Sequence, residues 1–88
     1  MNTPRIAIAL VCLLASNLSY AWADCKAHPK NEWMKEANAR AKLEKEGYKI
    51  KSFKTSGECY ELYGFDKKGA QVEIYFDAKT MAVVKRAE

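Results

Sequence analysis

Residues 57–77 read GECYELYGFDKKGAQVEIYFD, and the fold turns on how that stretch divides. Val72, Ile74 and Phe76 alternate with Gln71, Glu73 and Tyr75, the period of two that a strand shows when one face is buried. Upstream, Cys59, Glu61, Tyr63 and Phe65 alternate with Tyr60, Leu62 and Gly64. Between the two runs stands Asp66-Lys-Lys-Gly69. Asp there can bond the amides just ahead of it, and Gly accepts a positive φ. The stretch predicts two antiparallel strands joined by a hairpin loop.

The flanking sequence extends the pattern both ways. Tyr48-Lys-Ile50-Lys alternates and Thr55-Ser-Gly57 offers a turn, so a first strand precedes the hairpin. Asp77-Ala-Lys-Thr80 makes another turn, leading to a short last strand over residues 81–85. Before Tyr48 the period lengthens. Asn31 is placed to cap a helix over residues 32–46, and Gly47 stands where a helix ends in the left-handed region. Trp33, Met34, Ala37, Ala39, Ala41 and Leu43 share one half of that helix, although Glu36, Arg40 and Glu44 intrude. The expected fold is α+β: one N-terminal helix packed on a four-stranded antiparallel meander.

The first residues do not belong to that pattern. Arg5 precedes an apolar run, residues 6–15, which is about ten residues long, and Ala21-Trp22-Ala23 supplies the small-x-small site of a signal peptidase. A bilayer span takes about 20 residues. Residues 1–23 therefore read as a cleaved signal peptide and residues 24–88 as a single domain, periplasmic or secreted. Neither Val11 before Cys12 nor Asp24 before Cys25 suits lipoprotein processing. Removal of residues 1–23 leaves 65 of the 88 residues and takes Lys+Arg from 15 to 14, against 11 Asp+Glu, a net +3. The lysines are spread among acids, which does not make the concentrated basic, aromatic-studded face of a nucleic-acid binder.

Cleavage also removes Cys12 and leaves Cys25 and Cys59. An even pair in a short exported chain reads as a disulfide, closing a loop worth on the order of 3–4 kcal/mol by chain entropy. Two other fates are open to these thiols. A nucleophilic thiolate needs a base, and the one histidine, His28, lies three residues from Cys25. A metal carrier would use Cys25, His28 and Cys59, one ligand short of the four a structural zinc takes. Glu58, Glu61, Glu73, Asp66 and Asp77 read as solvated-face or turn residues, so neither enzymatic activity nor a cofactor is expected.

The order Gly47-Tyr48, Gly57-Glu-Cys-Tyr-Glu61, Asp66-Lys-Lys-Gly69 and Val72-Glu-Ile-Tyr-Phe-Asp77 resembles the PepSY domain family, especially its small exported stand-alone members. The resemblance covers essentially all of residues 24–88. It implies a non-catalytic helix-plus-sheet module that binds or restrains a peptidase. An accessory protein for a membrane sensor or another envelope partner is the rival. The family's closing turn reads Asp-Pro-x-Thr-Gly, whereas this chain has Asp77-Ala78-Lys79-Thr80-Met81. Loss of the Pro and Gly predicts a looser third loop and fourth strand.

Partner-binding residues are expected in two places. Tyr60 and Tyr75 could line a recognition face with Glu73, or serve as core and cross-strand packing. Lys49, Lys51 and Lys54 guard the first strand against edge pairing, whereas Met81, Val83 and Val84 on the last strand have no such charge. A protein or peptide partner is expected to dock at residues 81–84.

Overall fold

The computed structural model describes residues 23–87; apart from Ala23, the expected signal segment lies outside the described residues. A 3-10 turn at Lys30–Glu32 precedes α1 (Glu36–Lys45), followed by β1 (Lys49–Ser56), β2 (Cys59–Phe65), β3 (Gln71–Asp77) and β4 (Val83–Ala87). The strands form one antiparallel sheet in the order β1-β2-β3-β4. This is the expected meander, and among the described residues one α-helix precedes it.

The helix begins at Glu36 rather than Glu32, and Asn31 sits in the 3-10 turn instead of capping α1. Tertiary contacts explain the shift. The Trp33 indole N–H donates to the His28 carbonyl at 3.0 Å, and the Met34 amide donates to the Ala78 carbonyl at 2.9 Å. These bonds hold residues 33–34 extended against the core, where a helix would have turned them away; packing outweighs a few tenths of a kcal/mol of propensity. The helix is also narrower in its burial than its alanines suggest. Within it only Ala39 and Leu43, one turn apart, are buried, and Ala37 and Ala41 are exposed.

Its C-terminus behaves as expected. Gly47 has φ +102, its amide donates to Glu44 O, and the Tyr48 amide reaches back to Leu43 O at 3.1 Å. That pair of bonds is the Schellman arrangement, which satisfies carbonyls the helix cannot.

Cross-strand pairs fix which side chains face the helix. Phe53 pairs with Leu62, Leu62 with Ile74, and Tyr60 with Phe76. Together with Val72, Ala39, Leu43, Ala78 and Met81 they make the core, flanked by Trp33, Met34, Tyr48 and Ile50. Two irregularities shape the edges. β1 slips by one residue at Lys51, between Ile50 and Ser52, and β4 slips at Val84, since Tyr75 pairs with Lys85 but Phe76 with Val83. Gly64 belongs to the same story: a Cβ there would stand 2.0 Å from the Lys49 carbonyl oxygen.

The closing turn is well bonded rather than loose. Asp77 Oδ1 accepts the amides of Lys79 and Thr80 at 2.9 Å each, and the Met81 amide donates to Asp77 O at 2.8 Å. Met81 takes φ +64 at the position where the family carries glycine. The left-handed region costs a non-glycine residue roughly 1–2 kcal/mol. Met81 is only 6% exposed, and burying a Met side chain contributes about 1.5–3 kcal/mol, which offsets that strain.

Candidate functional site

The sheet face away from α1 carries Cys59, Glu61 and Tyr63 from β2, Glu73, Tyr75 and Asp77 from β3, and Lys54 from β1, as cross-strand register requires. At one end of this face the chain ahead of the helix is strapped down. Cys25 and Cys59 form a disulfide with Cα atoms 5.5 Å apart. Beside it His28 Nε2 lies 3.0 Å from Asp77 Oδ2. The His28 contact, followed by the Thr80 and Lys79 amides, holds the Asp77 carboxyl far below the usual carboxylate range.

The disulfide also removes the metal-carrier reading. Neither sulfur is a thiolate, and among the described residues no group of three or more His, Cys, Asp and Glu side chains could hold an ion. The same bond removes the thiol from any nucleophilic role.

In the middle of the face sit two carboxylates and a phenol. Glu61 pairs directly with Tyr75, and Tyr63 with Glu73. The Tyr75 hydroxyl donates to Glu73 Oε2 at 3.2 Å, and Lys54 Nζ approaches Glu61 Oε1 to 4.0 Å. Glu61 is buried, contrary to the solvated role expected for it. Alternation placed it on the face away from α1, and that face is itself buried here, with Cys59 and Tyr75 buried as well. Burial, and then the bond to Glu73, raise the Glu61 carboxyl above its ordinary value. Tyr75 is pushed up to about 12, first by burial and then by the two carboxylates.

Of the residues expected to meet a partner, the structure brings Glu73 and Tyr75 together and separates the others. Tyr60 is on the opposite face, in the core. Its ring meets Trp33 edge-on at 5.3 Å between centroids, and its hydroxyl donates to Met34 O at 2.7 Å. Tyr60 thus packs in the core, on the opposite face from Glu73 and Tyr75. Met81 likewise turns into the core, so it does not share a surface with Val83 and Val84, which are 55% and 41% exposed. β4 starts at Val83, and the bulge at Val84 interrupts the ladder where the last strand had looked unguarded. Bulges of this kind blunt an edge against strand addition.

Sequence reasoning missed Tyr63. It is 38% exposed and borders a shallow depression of about 190 Å³ with Gln71, Val72, Glu73 and Ala87. Its parity with Cys59 was the available signal.

A family model described as "peptidase propeptide and YPEB domain" matches residues 5–87 of the chain. No curated protein and no solved structure matches it.

Proposed function

The chain belongs to the PepSY family of peptidase propeptide and YPEB domains, and from that premise we propose an exported, non-catalytic module that binds and restrains a peptidase. PepSY domains are typically exported, generally non-catalytic, and propeptide- or inhibitor-like. Cleavage after Ala23 would release residues 24–88 into the periplasm or medium, which is consistent with an oxidised Cys25–Cys59 pair.

The docking surface in this reading is the outer side of β4, next to the Tyr75–Glu73 pair. The observation that carries it is the exposure of Val83 and Val84, two adjacent aliphatic side chains on an outermost strand. Because Val84 is bulged, the partner is held by side-chain contact with these valines more than by a long backbone ladder.

Capture from periplasm and detergent-solubilised membrane, with Val83→Ser/Val84→Ser as the comparison, tests the proposal. Recovery of a peptidase that the pure domain inhibits, and that the double variant releases, is the expected result. Recovery of a membrane sensor without a peptidase would support the accessory-protein reading instead. Chemical-shift mapping that left residues 83–84 unmoved by the captured partner would remove β4 as the docking surface.

A further inference from the structure

Lysines that look scattered in the sequence meet at the β2–β3 hairpin end of the sheet. Pairing of Lys49 with Phe65 sets the start of β1 beside the end of β2. Gly47 approaches the hairpin loop so closely that a Cβ on it would stand 2.7 Å from Lys67 Cβ. Lys49, Lys67 and Lys68 thereby border one depression of about 500 Å³, with Phe65 and Asp66 in its wall. Lys51 adds a fourth ammonium group, 5.8 Å from the centre of the Phe65 ring. All four lysines are exposed.

The carboxylates nearby are already engaged. Asp66 accepts the Lys68 and Ala70 amides at 2.9 and 3.0 Å and an Arg86 N–H at 3.1 Å. The Ala70 amide heads the contacts that hold its carboxyl below the usual range. Glu46 pairs with Lys42 one helical turn away. Among the described residues none of Lys49, Lys51, Lys67 and Lys68 has a carboxylate within ion-pair distance.

We propose that this end of the sheet docks on an anionic phospholipid surface, with the four lysines against headgroup phosphates and half-buried Phe65 among them. Lysine ammonium groups are point charges without the planar fork of arginine, and suit a diffuse array of phosphates better than one oriented carboxylate. An aromatic ring beside them fits the interfacial layer. Docked this way, the domain keeps its other end clear. Phe65 pairs with Gln71, and Val83 pairs with Phe76 five residues along β3, about 17 Å away at 3.4 Å per residue. Docking of the lysine end on a membrane does not depend on any partner at β4.

Each lysine near an anionic membrane is worth about fivefold in affinity, so Lys49→Gln/Lys67→Gln/Lys68→Gln should lose about a hundredfold. The test is co-sedimentation of the protein, as recovered from the cells that export it, with vesicles of phosphatidylcholine alone or mixed with phosphatidylglycerol. Circular dichroism checks that the triple variant keeps its fold. Binding to the anionic vesicles alone, weakened by salt and about a hundredfold weaker in the variant, is expected. Equal binding to both vesicle types, or unchanged binding by the folded variant, would overturn the proposal. So would capture on immobilised polyglutamate without binding to vesicles, which would assign the lysines to an acidic protein.

Discussion

Replacing Cys25 and Cys59 together by alanine isolates what the staple contributes. The two residues are 34 apart in sequence. For a loop of that length the chain-entropy model removes about 12–13 cal/mol/K from the unfolded ensemble, or about 3.8 kcal/mol at 25 °C. A domain of this size has a net stability of about 5–15 kcal/mol, so the double variant should lose a quarter or more of it. At about 4–8 °C per kcal/mol, the melting midpoint should fall by about 15–30 °C. Native packing changes little by comparison, because alanine is only one sulfur smaller at the buried Cys59. Urea unfolding followed by circular dichroism measures the loss. Wild-type protein unfolded under reducing conditions should match the double variant. A loss below about 1 kcal/mol with an unchanged m-value would refute the loop-entropy argument, and would mean that the contacts of the strap hold it without the bond.

Three further perturbations separate the forces described above. Gly64→Ala drives a methyl into the Lys49 carbonyl and should cost about 3 kcal/mol or displace the β1 bulge, whereas Gly57→Ala, with open space around it and φ +60, should cost only about 1 kcal/mol; thermal melts showing equal effects would contradict this. Tyr60→Phe strips the Met34 carbonyl of a buried donor and should cost about 1–3 kcal/mol, a loss that chemical denaturation resolves; a neutral result would mean that another donor reaches that carbonyl. Because the folded protein raises the Glu61 carboxyl above 4.5, the native state binds that proton more tightly than the unfolded chain, and stability falls as pH rises from the unfolded value through the folded one. Glu61→Gln removes this fall, so it should be more stable than wild type at neutral pH, with the advantage vanishing in acid; parallel stability curves across that window would rule the assignment out.

What the sequence revealed and what it hid follow physical lines. Strand identity and order were legible because alternation and turn residues are local: Val72, Ile74 and Phe76 announce their face, and Asp66 and Asp77 announce their turns. Gly47 was legible for the same reason. The start of α1 was not, because residues 33–34 answer to His28 and Ala78, which local propensity cannot see. Tyr60 and Tyr75 look alike in sequence and differ only in which sheet face they occupy. The bulge at Val84 and the depth of Glu61 depend on register between strands, a property of pairs and not of either strand alone. The lysine end of the sheet was hidden likewise, since Lys49 and Lys67 meet only through the meander.

The strap has a mechanical consequence. Both α1 and β1 lie inside the loop that Cys25 and Cys59 close. Tension applied across the two ends of the domain would enter at Cys25, cross directly to Cys59 and leave through β2, β3 and β4. The helix and first strand hang off that load path. At about 3.3–3.6 Å per residue, the bond withholds about 110–120 Å of contour length from any pulling force until it is reduced. A domain pulled from its two ends would lose β3 and β4 and still keep its helix unstretched.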